Sequence, residues 1–212
     1  MISIKTTALI CLTAVSTALL LSGCISIPSL RQPAIKTEYY IMEYPPPQAE
    51  DKKIPVTIGV KPFTANPPYN STRIIYKKGN FHTNQYLYHR WHVTPAQMAA
   101  CLLARDIKNS GMFAGVFGPN SFEPCNWIVE GNIETFLEND TEKQWSADLS
   151  VEITLIKGPL RNRRLFMQKT YSTSMPCERN NPRATAHAMS LAMQKISRDI
   201  IKDIAEVIEQ NL

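Results

Sequence analysis

Six apolar residues, Met189, Met193, Ile196, Ile200, Ile204 and Val207, recur at three- and four-residue intervals near the end of this 212-residue chain. That spacing predicts a helix from Pro182 to near Asn211, with Asn181 as its cap. A long helix with one apolar stripe must lie on another apolar surface. The segments just upstream supply it. Residues 127–138, 145–157 and 164–175 follow the two-residue rhythm of half-buried strands, with Leu149, Val151, Ile153 and Leu155 on one side of the second. Glu138-Asn139-Asp140 and Gly158-Pro159 punctuate the turns between them.

The first half of the chain repeats the theme in shorter pieces. Strands are predicted at Glu38–Tyr44, halted by Pro45-Pro46-Pro47, and at Pro55–Phe63, with Val56, Ile58 and Val60 on one face. Residues 64–72 read as an irregular loop. Arg73–Tyr76 and Asn84–Trp91 read as two strands around a turn at Lys78-Gly79-Asn80. In the second of these, Leu87, His89 and Trp91 are expected on one face and Tyr86, Tyr88 and Arg90 on the other. Thr94-Pro95-Ala96-Gln97 is a helix start: a hydroxyl cap, Pro at the first helical position and Gln closing a capping box. Met98, Cys101, Leu102 and Arg105 follow at helical spacing, Leu103 and Ile107 widen the stripe, and Ser110-Gly111 ends it. A short strand is expected at Ala114–Phe117. The predicted order is β-β-β-β-α-β-β-β-β-α. It implies an α/β fold of the α+β type: two layers, a largely antiparallel mixed sheet with two main helices packed on one face.

The N-terminus reads as an address. Lys5 precedes an apolar run from Ala8 to Leu21, too short for the ~20 residues a membrane-spanning helix needs. It ends in Leu21-Ser22-Gly23-Cys24, which resembles the lipobox of bacterial lipoproteins. That resemblance implies removal of residues 1–23 and diacylglyceryl transfer to the Cys24 sulfur. The competing reading is a buried helix followed by a chance Cys. Each buried lipid CH₂ contributes ~0.8 kcal/mol, and two or more chains make an anchor stable. Residues 24–37, with two prolines and little pattern, then form a tether, and 38–212 a single domain on the periplasmic side. Ile25, in place of the Asp that tends to retain such proteins at the inner membrane, points to the outer membrane.

Composition narrows the rest. Apolar residues make up 44% and charged residues 19%, so the chain can bury a core. Removal of Lys5 lowers the net charge from +5 to +4, too slight and scattered a surplus to call for nucleic acid. Of the five cysteines, Cys101, Cys125 and Cys177 stay in the domain. A meander puts Cys125 and Cys177 at opposite ends of strands ~36 Å long, so a bridge would need a bulge or a changed connection.

Chemistry is scarce. No GxSxG, Walker A, GxGxxG, EF-hand, CxxC or HExxH pattern occurs, and no metal or cofactor is expected. His82, His89, His92 and His187 sit at spacings that do not converge. Glu130 and Glu134 would lie ~13 Å apart on a solvated face. Arg161, Arg163 and Arg164, with Lys157 and Lys169 near, form a basic hairpin tip, either a solubilising turn or a surface for headgroups or an acidic partner.

Several motifs in order resemble the ABC-type transport auxiliary lipoproteins. They are Tyr39-Tyr40 shortly after the lipobox, Ile58-Gly59-Val60-Lys61-Pro62-Phe63, Arg73-Ile74-Ile75-Tyr76, and Tyr88-His89-Arg90-Trp91 leading into Pro95. Gly111-Met112-Phe113, Trp127 to Phe136 with its Gly131, and the final helix complete the series. The resemblance spans nearly the whole chain after Cys24. It implies a non-enzymatic subunit of an envelope transport system, working beside a permease, an ATPase and a periplasmic MCE-domain protein that handles lipid. No catalytic residue carries over; Cys24 does, as the lipidation site. Self-association is left open. The alternatives are an adapter of another envelope machine, for secretion or lipopolysaccharide assembly, and a periplasmic hydrolase with a deep polar pocket.

Overall fold

The computed structural model describes residues 35–141, 144–158 and 162–212. The proposed signal peptide, Cys24 and Arg161 lie outside them. Nine strands and two helices follow one another: β1 (Glu38–Tyr40), β2 (Ile54–Val60), β3 (Thr64–Ala65), β4 (Arg73–Lys78), β5 (Thr83–Trp91), α1 (Pro95–Asn109), β6 (Phe113–Phe117), β7 (Trp127–Asp140), β8 (Trp145–Lys157), β9 (Arg164–Pro176) and α2 (Pro182–Glu209). A 3₁₀ turn at Pro67–Tyr69 separates β3 from β4.

The long strand β7 is the spine. Along one edge it pairs antiparallel with β8 from end to end, and β8 pairs antiparallel with β9. Its other edge takes three short parallel partners in succession: β2 beside Trp127–Val129, β3 beside Asn132 and Ile133, and β4 beside Glu138–Asp140. These three behave as one strand interrupted at Pro62 and at Pro67-Pro68, where no N–H is available for the ladder. β6 extends the sheet parallel to β2, and β5 extends it antiparallel to β4, with β1 parallel to β5. The sheet is therefore mixed: its long ladders are antiparallel, its short ones mostly parallel.

Both helices cover one face and meet each other. Leu149, Val151, Ile153 and Leu155 are at most 1% exposed beneath them. The stripe of α2 is buried as predicted, except that Ile208 rather than Val207 finishes it. In α1 the buried side is carried by Ala99, Leu103, Asp106 and Ile107, and Cys101 is exposed. Four alanines on that face let the helix sit close, and alanine alone gives no directional signal in a sequence. Thr94 Oγ1 accepts from the Gln97 N–H (3.4 Å), and Asn181 Oδ1 from the Ala184 N–H (2.9 Å), so both predicted caps form.

The N-terminal strand is shorter than expected. After Tyr40 the chain leaves the sheet and crosses the helix layer as a strap. Met42 and Tyr44 are buried there, and the Glu43 N–H donates to Ser190 Oγ of α2 (3.0 Å). Residues 64–72, expected to be irregular, hold β3.

The faces predicted for β5 also differ. Arg73 pairs with Arg90 but Ile75 with Gln85, so β5 bulges by three residues. Leu87 is 69% exposed while Trp91 is buried, and His89 lies beside Tyr86 and Tyr40 instead of sharing a face with Leu87.

Cys101, Cys125 and Cys177 are free thiols. Cys177 lies beside Trp145, next to the Asp140 end of β7, whereas Cys125 precedes the Trp127 end.

Gly131 faces the covered side opposite Ile153, and a Cβ there would come within 2.6 Å of the Phe63 ring. The glycine is the seat on which Phe63 packs.

Candidate functional site

The chemistry-bearing side chains of the described residues gather in three clusters, each centred on a carboxylate. The first is Asp106 of α1, 1% exposed. Tyr44 of the strap and Ser197 of α2 each donate to Oδ2 at 2.7 Å, and Arg105 Nε donates to Oδ1 at 2.9 Å. Three elements that share no backbone ladder are thus pinned at one point. Burial, and then the Asp106 charge, push the Tyr44 hydroxyl far above its ordinary range, so it stays a donor.

The second is Glu138 of β7, also 1% exposed. Thr185 Oγ1 of α2 donates at 2.5 Å and Tyr86 of β5 at 3.1 Å. Burial raises the Glu138 pKa, against the lowering effect of those two donors. Cys177 nearby is raised to about 11, first by burial and then by the Glu138 charge. It is a thiol at neutral pH, without the thiolate character of a nucleophile or metal ligand. The third, Asp203 of α2, receives Lys169 (2.5 Å) and Tyr171 (2.6 Å) from β9. Burial acts to raise Asp203, but these hydrogen bonds and the Lys169 charge outweigh it and lower its pKa.

In all three, fixed donors already engage the carboxylate, as in a structural pin. Among the described residues no group of three or more His, Cys, Asp or Glu side chains could hold a metal ion. The histidines stay apart: His89 Nδ1 lies 3.0 Å from the Tyr40 hydroxyl, His92 packs edge-on to Tyr39, and His187 is exposed on α2. Glu130 meets Arg163 at 3.3 Å and Glu134 accepts from Ser150 at 2.9 Å, both on the face opposite the helices.

The described residues of the predicted basic tip are engaged within the fold. Lys157 Nζ lies over the Trp127 ring and donates to the Asn211 carbonyl, Arg164 stacks over Phe166, and Lys169 belongs to Asp203.

Sequence reading missed Asp106 and Glu138. Asp106 carried a signal, an acid next to Ile107 inside an apolar stripe. Glu138 carried none. Strict alternation puts it on the open face with Glu130 and Glu134, but a bulge between Ile133 and Thr135 turns it to the covered side, opposite Ala147.

Two surface features remain. A groove of about 980 Å³ runs between the strap, at Pro45–Glu50, and the exposed side of α2, at Arg198, Lys202 and Glu206. At the Asp140 end of the sheet the β4–β5 hairpin projects Phe81, fully exposed with φ +67°. No helix among the described residues is long and apolar enough to cross a membrane.

Comparison with known proteins agrees with this architecture. Protein XCC0632 of Xanthomonas campestris superposes with a TM-score of 0.74 at 14% identity, over 82% of this chain and 98% of that one. An uncharacterised protein matches with a TM-score of 0.60 at 10% identity, over 80% and 99%. Protein CT253 of Chlamydia trachomatis matches with a TM-score of 0.50 at 11% identity, over 73% and 98%. At such identities these likenesses show the fold alone. No curated protein matches the sequence. The family model of the ABC-type transport auxiliary lipoprotein component, however, matches residues 39–201, from the first strand to within the last helix, and the chain belongs to that family.

Proposed function

We propose that this protein is a lipid-anchored, non-enzymatic accessory of an ABC-type transporter in the bacterial envelope, one that works with an MCE-domain protein to move lipid between membranes. The observation that carries the reading is the family match over residues 39–201, which takes in nearly every element of the fold. In this reading residues 1–23 are removed, Cys24 carries the acyl chains, 24–37 tether the domain, and 38–212 dock the transport assembly. The ATPase and permease are other chains, and Ile25 directs the protein to the periplasmic face of the outer membrane. The carboxylate pins fit a rigid docking piece, since their donors are already engaged.

Gentle crosslinking in the native membrane, followed by purification of this chain, is expected to bring down a permease, an ATPase and an MCE-domain protein. Recovery of a secretion or lipopolysaccharide-assembly component in their place moves the protein to another machine. Metabolic labelling with a fatty acid is expected to mark the wild type and fail on Cys24→Ala. Labelling that persists in the variant refutes the anchor.

A further inference from the structure

We propose that the Asp140 end of the domain is a membrane-docking surface that seats Phe81 among the headgroups of an anionic phospholipid leaflet. The proposal rests on the anchored reading above and adds which end of the domain meets the bilayer.

The hairpin tip argues first. Lys78 donates its N–H to the His82 carbonyl, and Gly79, Asn80 and Phe81 form the loop between them. Gly79 and Phe81 both have φ of +67°. A left-handed position at a hairpin favours Gly or Asn, because a Cβ is strained there. Here it holds a phenylalanine whose ring touches nothing in the fold. Neither backbone preference nor core packing accounts for an aromatic at this place.

The neighbourhood argues second. Register puts Lys78 beside Asp140, and Asp140 opposite Trp145, so all three share one end of the sheet. Trp145 is 37% exposed with its indole N–H held by Asp140. An aromatic with one wet and one apolar side suits the headgroup level. The β9–α2 connection adds the exposed Arg179, and the first turn of α2 the exposed Arg183. Lys77, Lys78, Arg179 and Arg183 have no ion-pair partner among the described residues. At the opposite end Phe122 and Leu165 are also exposed, but Lys157, Arg163 and Arg164 are taken up by Asn211, Glu130 and Phe166.

Chain direction argues third. β1 lies beside His89–Trp91, the end of β5 away from the hairpin, and runs parallel to β5, so the polypeptide enters β1 from the side of that strand that faces the tip. Two aromatics and four cations bind a bilayer weakly on their own. A tether of fourteen residues reaches at most ~50 Å. It holds such a surface at an effective concentration on the order of millimolar, where weak contacts suffice.

The test uses the full-length lipidated protein in vesicles of phosphatidylethanolamine and phosphatidylglycerol, with brominated lipid as the quencher. The wild-type chain, with Trp91 and Trp127 each 1% exposed and Trp145 at the surface, sets the baseline emission. Of the emission it adds to that baseline, Phe81→Trp is expected to lose about half to the brominated chains, while Phe122→Trp keeps its own. The joint change Lys77→Glu and Lys78→Glu, or phosphatidylcholine in place of phosphatidylglycerol, is expected to restore the emission. Equal quenching at both positions, none at position 81, or quenching indifferent to charge overturns the proposal. So does a change at position 81 that needs an added protein partner. Mass spectrometry of the Cys24 peptide reads the anchor separately. An acylated, vesicle-bound protein without quenching sinks the docking surface alone, whereas an unmodified Cys24 sinks the anchored reading.

Discussion

Leu149, Val151, Ile153 and Leu155 face the helices, while their neighbours Asp148, Ser150, Glu152 and Thr154 face the other way along the same strand. The first set is buried in one continuous apolar core. The second makes cross-strand rungs: Ser172 to Ser150 at 2.9 Å, Ser150 to Glu134 at 2.9 Å, Ser174 to Asp148 at 2.6 Å and Gln168 to Glu152 at 3.0 Å. Both faces are built from one alternating sequence, yet they do different work. Burial of apolar area stabilises each core side chain by roughly 1.5–3 kcal/mol. A half-exposed hydroxyl rung exchanges water for protein and nets ~1 kcal/mol or less. The covered face supplies stability, and the open face fixes register at little cost.

That contrast can be broken in graded steps. Ile153→Ala removes a fully buried side chain under the helices and is expected to cost about 4 kcal/mol by chemical denaturation. At ~2–4 °C per kcal/mol, the melting temperature falls by roughly 12 °C. Asp106→Ala tests whether a polar group on the covered side behaves like core. It strands the Tyr44 and Ser197 hydroxyls and a half-buried Arg105, with an expected loss of about 3 kcal/mol. A loss no larger than that of an exposed ion pair would show the pin to be decorative. Gly131→Ala forces Phe63 off its seat, and overpacking of this kind costs about 2 kcal/mol. If the variant is neutral, the close approach is not a constraint.

Much of this was legible in the chain. The α2 stripe and the alternation of β8 predicted the covered face nearly residue for residue, because both elements bury one side against one surface. What escaped lies where the period changes. The bulge after Ile133 brings Glu138 beneath α2, and the bulge in β5 throws Leu87 and Tyr88 outward; neither insertion has a composition of its own. The parallel ladders of β2, β3 and β4 were hidden because their common partner lies far downstream, and the two residues of β3 are too few to show a pattern. The carboxylate pins depend on side chains that only the folded chain brings together.

Two smaller effects sharpen the comparison. Asp203 titrates below its unfolded value of about 3.8. Its contribution is therefore present above that value and lost as pH falls through the lower folded one. Melting followed down from pH 5 is expected to show Asp203→Asn converging on the wild type at low pH, from a deficit of about 1 kcal/mol or less at neutrality. Ser150→Ala, on the open face, is expected to cost about 0.5 kcal/mol, since Ser172 and Glu134 can turn to water. A penalty as large as that of Ile153→Ala would mean the polar rungs support the fold after all.

The interrupted strand beside β7 has a consequence for timing. A polypeptide delivered amino end first presents Ile54–Lys78 roughly fifty residues before Trp127 appears, and these segments bond along β7 rather than to each other. β4 and β2 find one partner each in β5 and β6, but until the spine arrives the edges that face β7 stay unpaired and open to wrong neighbours. Along β7, then, the segments made first wait for the one edge that is made much later.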